Sequence, residues 1–315
     1  MRFLVSLLLL CAATAAAQSY PTRAVRVLVG FPPGGGTDIM ARFLAPKLAE
    51  YLGQPFVVEN RPGATTNIAS DMVAKSAPDG HTLLFTTSAL AINMSLYKNL
   101  TFDALKDFAP VSVFADSPNL LVAHQSAGAS VKELLAKARA KPDSMNYSSA
   151  GAGTSQHLAG ELFKARTGVQ IQHIPYKGTA ASLTAVIAGE VQFSFANVPA
   201  ILGHVRSGRI HALAVLADKR SSLMPDVPTM KEAGVDGVVV PVWYALLAPA
   251  ATPREIVKAL GDATARAARA PDLNQKLIEQ GAEPVGNTPE EFSKLLREEV
   301  TRWAEVVRVS GAKAE

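Results

Sequence analysis

The chain has 315 residues, 48% hydrophobic and 18% charged, with a formal net charge of +4. That length predicts two lobes rather than one, and it is enough to bury ordinary cores without covalent staples. The basic residues are scattered with no basic run, which argues against a nucleic-acid partner; the small positive excess suits an anionic ligand without demanding one.

The N-terminus reads as a cleavable export signal over residues 1–17. Met1-Arg2-Phe3 is a short basic start, Leu4 to Ala13 is apolar, and Ala15-Ala16-Ala17 offers small residues for cleavage. The expected location is the periplasm, with a mature start near Gln18. Cys11 is the single cysteine and lies inside this segment, so the mature chain is expected to hold no disulfide and no thiolate metal site. No later apolar run is long enough to cross a bilayer.

Strand and helix patterns then alternate. Val25–Gly30 reads as a strand, 38–52 as a helix, Phe56–Glu59 as a strand, Thr66–Lys75 as a helix and Thr82–Thr86 as a strand. Pro46 inside the first helix pattern predicts a kink or a break, since it removes a hydrogen bond and crowds the carbonyl of Arg42. The middle third repeats the scheme: strand Leu120–His124, helix 130–140, strand Met145–Ser148, helix 154–166, strand 169–174, helix 179–188 and strand Val191–Ala196. A short helix near Pro199–Ser207 and a strand Ile210–Leu216 follow. The last third holds an extended stretch near Val238–Ala248, a helix 253–269 and a terminal helix 289–309. That last helix carries Phe292, Leu295, Leu296, Val300, Trp303 and Val307 on one face, a docking face at helical spacing. Such alternation predicts an α/β protein of parallel-rich sheets with helices on both faces. No linker separates the parts, so the chain is expected to cross between lobes twice, near Asp116–Asn119 and near Ala217–Lys219. The first lobe would be 18–118 plus 219–315, the second 119–218.

In such folds ligands sit beyond the carboxyl ends of the strands. Four loops qualify. The first, Pro33, Gly34, Gly35, Gly36, Thr37 and Asp38, joins a strand to a helix start, where free N–H groups and the helix dipole favour an anion. The same glycines also serve a tight turn. A phosphate loop would need a Lys after its last Gly, and Asp38 would repel a phosphate, so a carboxylate is the more natural anion. The second loop is Thr86, Thr87 and Ser88. The third holds Ser149, Gly151, Ala152, Gly153 and Thr154 and leads into a helix carrying His157, whose neutral ring could donate to a ligand. The fourth holds Tyr176, Lys177 and Gly178. Thr154 and Thr179 also read as helix caps.

Chemistry has little support. The six histidines show no zinc-ligand spacing, and neither a nucleophile elbow nor a carboxylate pair is visible. No metal, no cofactor and no catalytic residue is expected.

Several motifs carry a resemblance. Tyr20-Pro21-Thr22-Arg23, Phe31 through Asp38, Val58-Glu59-Asn60-Arg61-Pro62-Gly63-Ala64, Ala77-Pro78-Asp79-Gly80 and His173-Ile174-Pro175-Tyr176-Lys177-Gly178 resemble the Bug (TctC-like) family, as do Gly153 through Glu161, Asp226-Val227-Pro228-Thr229 and Trp243-Tyr244. The resemblance covers essentially the whole mature chain. It implies an extracytoplasmic solute-binding protein of a tripartite tricarboxylate transporter. It implies a type II-like two-lobed periplasmic binding fold, each lobe a mixed, mostly parallel sheet flanked by helices. The lobes would close, as a monomer, on a small di- or tricarboxylate or aromatic carboxylate and pass it to integral membrane subunits. The loops matching Pro33–Asp38 and Ser149–Thr154 would hold carboxylate groups. Presentation of the ligand to a sensor kinase is the alternative role, an enzyme on the same fold the more distant one. Two departures stand out. Thr65-Thr66 replace a Gly-Gly of many relatives. Phe195-Ala196-Asn197 replaces their Phe-Asp-Asn, so a ligand facing Ala196 and Asn197 would meet no anion for an ammonium group.

Overall fold

The computed structural model describes residues 20–314. The expected signal segment 1–17, with Cys11, lies outside the described residues.

The first sheet starts from the apolar run β1 (Val25–Val29), which lies parallel to β2 (Phe56–Asn60) and to β3 (Thr82–Thr87). Its connections are α1 (Gly36–Leu52) and α2 (Asn67–Ala74), with α3 (Ala89–Leu96) after β3. Next to β3 runs β9 (Pro241–Pro249), antiparallel to it and to the first part of β4 (Phe108–Ala123). The short β10 (Glu283–Pro284) pairs with β4 as well.

Beyond Pro118 the same strand β4 enters the second sheet. There it pairs antiparallel with β7 (Phe193–Asn197) and with β8 (His211–Val215). Inside that sheet β5 (Asn146–Ser149) is parallel to β7 and to β6 (Gln172–Pro175). The helices here are α4 (Val131–Ala140), α5 (Ser155–Thr167), α6 (Thr179–Ile187) and α7 (Val198–Arg206). Each sheet is thus mixed: parallel where βαβ units build it, antiparallel around β4 and β9. The remaining helices are α8 (Arg254–Arg269), α9 (Pro271–Glu279) and α10 (Pro289–Ser310).

The chain does not return to the first sheet directly after β8. Val215 bridges Thr229, the Met230 N–H donates to the Val215 carbonyl, and the Val240 N–H donates to the Leu216 carbonyl. The first sheet is regained at Pro241, opposite Pro118. Met230, Val235, Val238 and Val240 are all buried along this stretch, and that burial holds it against the second sheet.

Helix α1 runs unbroken through Pro46. The lost hydrogen bond is outweighed because Leu44, Ala45 and Leu48 on the same turns are buried against β1 and β3. Full burial of such side chains stabilises by roughly 1.5–3 kcal/mol each for the larger ones.

One apolar cluster spans both sheets. It includes Leu28 and Leu84 of the first, Leu121 and Phe193 of the second, and Phe292, Leu296 and Trp303 of α10. The expected docking face of the terminal helix is therefore a docked one. Helix α10 starts on a capping box: the Glu291 N–H donates to Thr288 Oγ1 while the Thr288 N–H donates to Glu291 Oε2. Its Glu299 is buried and accepts from two indoles, Trp243 Nε1 at 3.0 Å and Trp303 Nε1 at 2.9 Å. Arg302 donates to Glu299 and also to the Val239 carbonyl.

Glu299→Leu leaves two buried indole N–H groups without an acceptor. At roughly 1–3 kcal/mol for each, the variant is expected to lose about 2–6 kcal/mol in urea unfolding, and Glu299→Gln, which keeps one acceptor oxygen, clearly less. Equal losses for the two variants would mean that packing, not hydrogen bonding, holds this helix.

Candidate functional site

Four helix starts converge between the two sheets. Gly36 and Thr37 begin α1, Ser155 and Gln156 begin α5, Thr179 begins α6, and Asn197 precedes α7; all line one narrow inner space. Thr87 and Val242 close it from the β3 and β9 side. Helix starts leave N–H groups unsatisfied, and their dipoles add partial positive charge. Three of the four have no side-chain cap: Gly35 stands before α1, Gly178 before α6, and the Asn197 side chain makes no cap bond. Only α5 is capped, by Thr154 Oγ1 accepting from the His157 N–H. Thr179 does not cap α6 as expected. It is the helix's first residue, and its hydroxyl accepts from Gln156 Nε2 at 3.0 Å. Gln156 Oε1 in turn accepts from the Ala150 N–H, so one side chain ties two helix starts together.

The back of the inner space is built by close approach. A Cβ on Gly36 would lie 2.5 Å from Asn197 Oδ1 and 2.8 Å from the Tyr244 hydroxyl. Both of those polar atoms are buried and have no hydrogen-bond partner. Burial, with the nearby charge of Asp116 second, pushes the Tyr244 phenol well above its ordinary range, so it stays a neutral O–H donor. Among the described residues, no acidic or basic side chain lines the inner space.

A larger outer space opens beside it, sharing Phe31, Pro32 and Ala150 with it. Gly151, Ala152, Tyr176, Lys177 and Gly178 line it from the second sheet, and Thr65 and Tyr97 from the first. The Tyr97 hydroxyl donates across the cleft to the Ala152 carbonyl at 3.1 Å.

The structure distributes the expected site residues unequally. Gly35, Gly36, Thr37, Thr87, Thr154 and Asn197 line the inner space, and the residues just named line the outer one. Pro33, Gly34, Thr86, Ser88, Ser149 and Gly153 line neither. Asp38 turns inward: its carboxylate accepts from the Gly34 N–H, Arg42 Nε and Asn60 Nδ2. Burial works to raise its pKa, but those bonds hold it below the usual carboxylate range. Ala196 belongs to the apolar cluster of Leu120, Val122 and Val198, because neighbours on a strand face opposite sides and Asn197 faces the inner space.

His157 lines neither space. Its Nδ1 accepts from the Gly153 N–H, and its ring stacks on His173 at 4.3 Å between centroids. His173 Nε2 bonds the Ser149 hydroxyl at 2.7 Å, and Tyr147 stacks on its other face. Burial lowers both rings, His157 to about 4 and His173 to about 3, with the His157 charge adding to the second shift. The pair supports the loop 149–154 from below. Tyr244, Gln156, Thr65 and Tyr97 escaped the sequence reading. The motif Trp243-Tyr244 was visible, yet a fully buried tyrosine on a strand reads as core until its unpartnered hydroxyl is seen.

Two mixed α/β sheets, joined by one through-going strand with a cleft of helix starts between them, define a periplasmic binding protein. Residues 40–311 match the family model described as "Tripartite tricarboxylate transporter family receptor". Protein BugT of Bordetella pertussis is 41% identical over 305 residues, covering 96% of this chain and 94% of that protein. Among solved structures, an R. palustris protein with adipate superposes with a TM-score of 0.91 at 38% identity, covering 94% of this chain and all of that one. MatC from Rhodopseudomonas palustris with bound malate gives 0.87 at 33% identity, over 91% of this chain and all of that one. The chain belongs to the tripartite tricarboxylate transporter receptor family.

The stacked histidines give the site a signature in acid. A histidine whose folded pKa is depressed contributes stability that is complete above its unfolded pKa near 6.5 and lost as pH falls toward about 4. Asp116, raised to about 6 by burial and by Glu283, acts in the opposite sense between its unfolded value and 6, so the comparison is between variants. His157→Asn keeps an acceptor for the Gly153 N–H and removes the titrating ring. Its melting temperature is expected to fall less than that of the parent between pH 7 and pH 4. Parallel curves would mean that these rings are not held neutral.

Proposed function

We propose that this chain captures a small organic carboxylate lacking an amino group and delivers it, outside the cytoplasm, to the membrane subunits of a tripartite transporter. It works by lobe closure and not by bond chemistry. The observation that carries this reading is the inner space itself. Three uncapped helix starts and the Tyr244 hydroxyl meet there, and among the described residues no acid lines it to pair an ammonium group. Burying an unpaired ammonium costs several kcal/mol, whereas carboxylate oxygens find donors in the helix-start N–H groups and the Tyr244 hydroxyl. Asp38, the nearest acid on α1, is already bonded to Gly34, Arg42 and Asn60. The adipate- and malate-bound relatives are consistent with a carboxylate of this kind.

Closure has a natural axis. Pro118 of β4 faces Pro241 of β9 at the border between the sheets, and neither has an N–H to donate. The lobes, one built on β1 to β3 and the other on β5 to β7, would rotate about residues 116–119 and about 240–241.

Isothermal titration with succinate, adipate, terephthalate, aspartate and glutamate tests the reading. At least one amine-free acid is expected to bind, and X-ray scattering should then show a smaller radius of gyration. A ligand at about a hundred times its Kd should add roughly 2.7 kcal/mol to unfolding stability. Binding of aspartate or glutamate alone would overturn the proposed ligand class.

Gly36→Ala gives a second check. Its methyl group would push Asn197 and Tyr244 out of place, and overpacking of that kind costs about 1–3 kcal/mol, or roughly ten- to hundredfold in affinity. Unchanged affinity would place the ligand elsewhere.

A further inference from the structure

We propose that Asp116, on the hinge strand behind the inner space, couples ligand capture to the uptake of a proton, so that a carboxylate is held more tightly in mild acid than above neutral pH. The inference rests on the carboxylate reading above and adds a control to it.

Asp116 stands at the border between the sheets, two residues before Pro118 on β4, with Trp243 of β9 opposite it. On its other side it lies directly opposite Glu283 of β10. The two carboxylates line one crevice with Pro118 and Pro241, and Lys219 and Arg220 line it from the segment after β8. Among the described residues neither carboxylate accepts a hydrogen bond or pairs with a cation.

The surroundings supply no counter-charge. Arg220 is already bonded to Glu232 and to the Pro225 carbonyl. Lys219 is exposed, where a pairing in water contributes little. On the β9 side Trp243 donates to Glu299, and Arg302 neutralises that acid. Gly281 and Ala282, which close the crevice after α9, bring no charge. Asp116 therefore faces a like charge across a strand pair, an arrangement that destabilises. Burial first, and Glu283 second, raise its carboxyl to about 6.

The link to the ligand runs through Tyr244. Its partner across the ladder is Ala115, the residue before Asp116. Neighbours on a strand face opposite sides, so the carboxyl and the phenol are separated by the thickness of the sheet. The phenol is buried, and the Asp116 charge reaches it. An anion accepting from that hydroxyl would feel the same charge through a medium that water does not screen. Ionised, Asp116 opposes the bound carboxylate; protonated, it does not. By linkage, the bound anion raises the Asp116 carboxyl further, and a proton is taken from solution. Affinity is then highest below about 6, falls as pH rises toward the higher value of the bound form, and is level above it. His157 and His173, at about 4 and 3, stay neutral throughout.

Isothermal titration with succinate, adipate and terephthalate tests this, on the parent and on Asp116→Asn, which keeps the shape and removes the charge. Run near pH 6.5 in PIPES and in imidazole buffer, whose ionisation enthalpies differ, it counts protons. The parent should take up roughly a quarter to a half of a proton per ligand, and Asp116→Asn none. Between pH 6 and pH 8 the parent's affinity should fall about two- to fivefold relative to that of the variant, a ratio that cancels the acids' own titration. At pH 8 the variant should bind about three- to tenfold tighter than the parent. Glu283→Gln should move the parent's fall to lower pH without removing it. A variant that follows the parent's pH profile would overturn the coupling and leave the carboxylate reading intact. So would protons released on binding, the sign of a crevice that closure opens to water. Binding of none of the three acids would sink both.

Discussion

Strand β4 carries hydrogen-bond ladders to β9 and β10 in its first part and to β7 and β8 in its second. Both sheets are thus assembled on one extended backbone, and an extended backbone can twist or bend but cannot lengthen. Any relative motion of the two sheets is therefore a rotation about β4 rather than a separation. The facing prolines 118 and 241 mark where that rotation meets least resistance, since no N–H of either residue is there to be broken. Helix α10 limits it further. It packs on α3 of the first part and on α5 of the second, and its Trp303 sits in the core that both sheets share.

The same construction puts helix starts at the cleft. In each βαβ unit the helix begins just past the carboxyl end of a strand, so both sheets deliver their N–H-rich ends to the gap between them. Side-chain caps would have satisfied those groups internally; α1, α6 and α7 lack them. Tyr244 and Asn197 add buried polar atoms without partners, an arrangement that costs stability unless something binds there. These unpaired groups sit where Gly36 allows two lobes to approach within van der Waals contact.

Much of this was legible in the residues. The β1 run, the glycine turn, the Thr154 cap and the apolar face of α10 follow from period and cap chemistry. Other features are tertiary and could not be read. The continuity of β4 through Pro110 and Pro118 defeats a rule that a proline ends a strand; here a register shift follows Pro110, and Pro118 stands at the border between partners. Helix α3 is an apolar run after a strand, without a cap bond to announce it. Position 196 was placed in the cleft because it matches the Asp of the relatives' Phe-Asp-Asn, whereas its side chain lies in the apolar cluster and its neighbour Asn197 lines the inner space. His157 looked available from its place in the first turn of a helix, and only the structure shows its Nδ1 accepting from the Gly153 N–H and its ring stacked on His173.

The grip proposed for the inner space is made mostly of main-chain N–H groups at Gly36, Thr37 and Thr179, with few side chains involved. Main-chain groups survive nearly every point substitution. The walls of the outer space, in contrast, are side chains, among them Tyr97, Tyr176 and Lys177. Over evolutionary time such a molecule can change its cargo by drift in those walls while its anchor stays the same. A lineage built this way could spread across many nutrients without ever having to reinvent how it holds an acid.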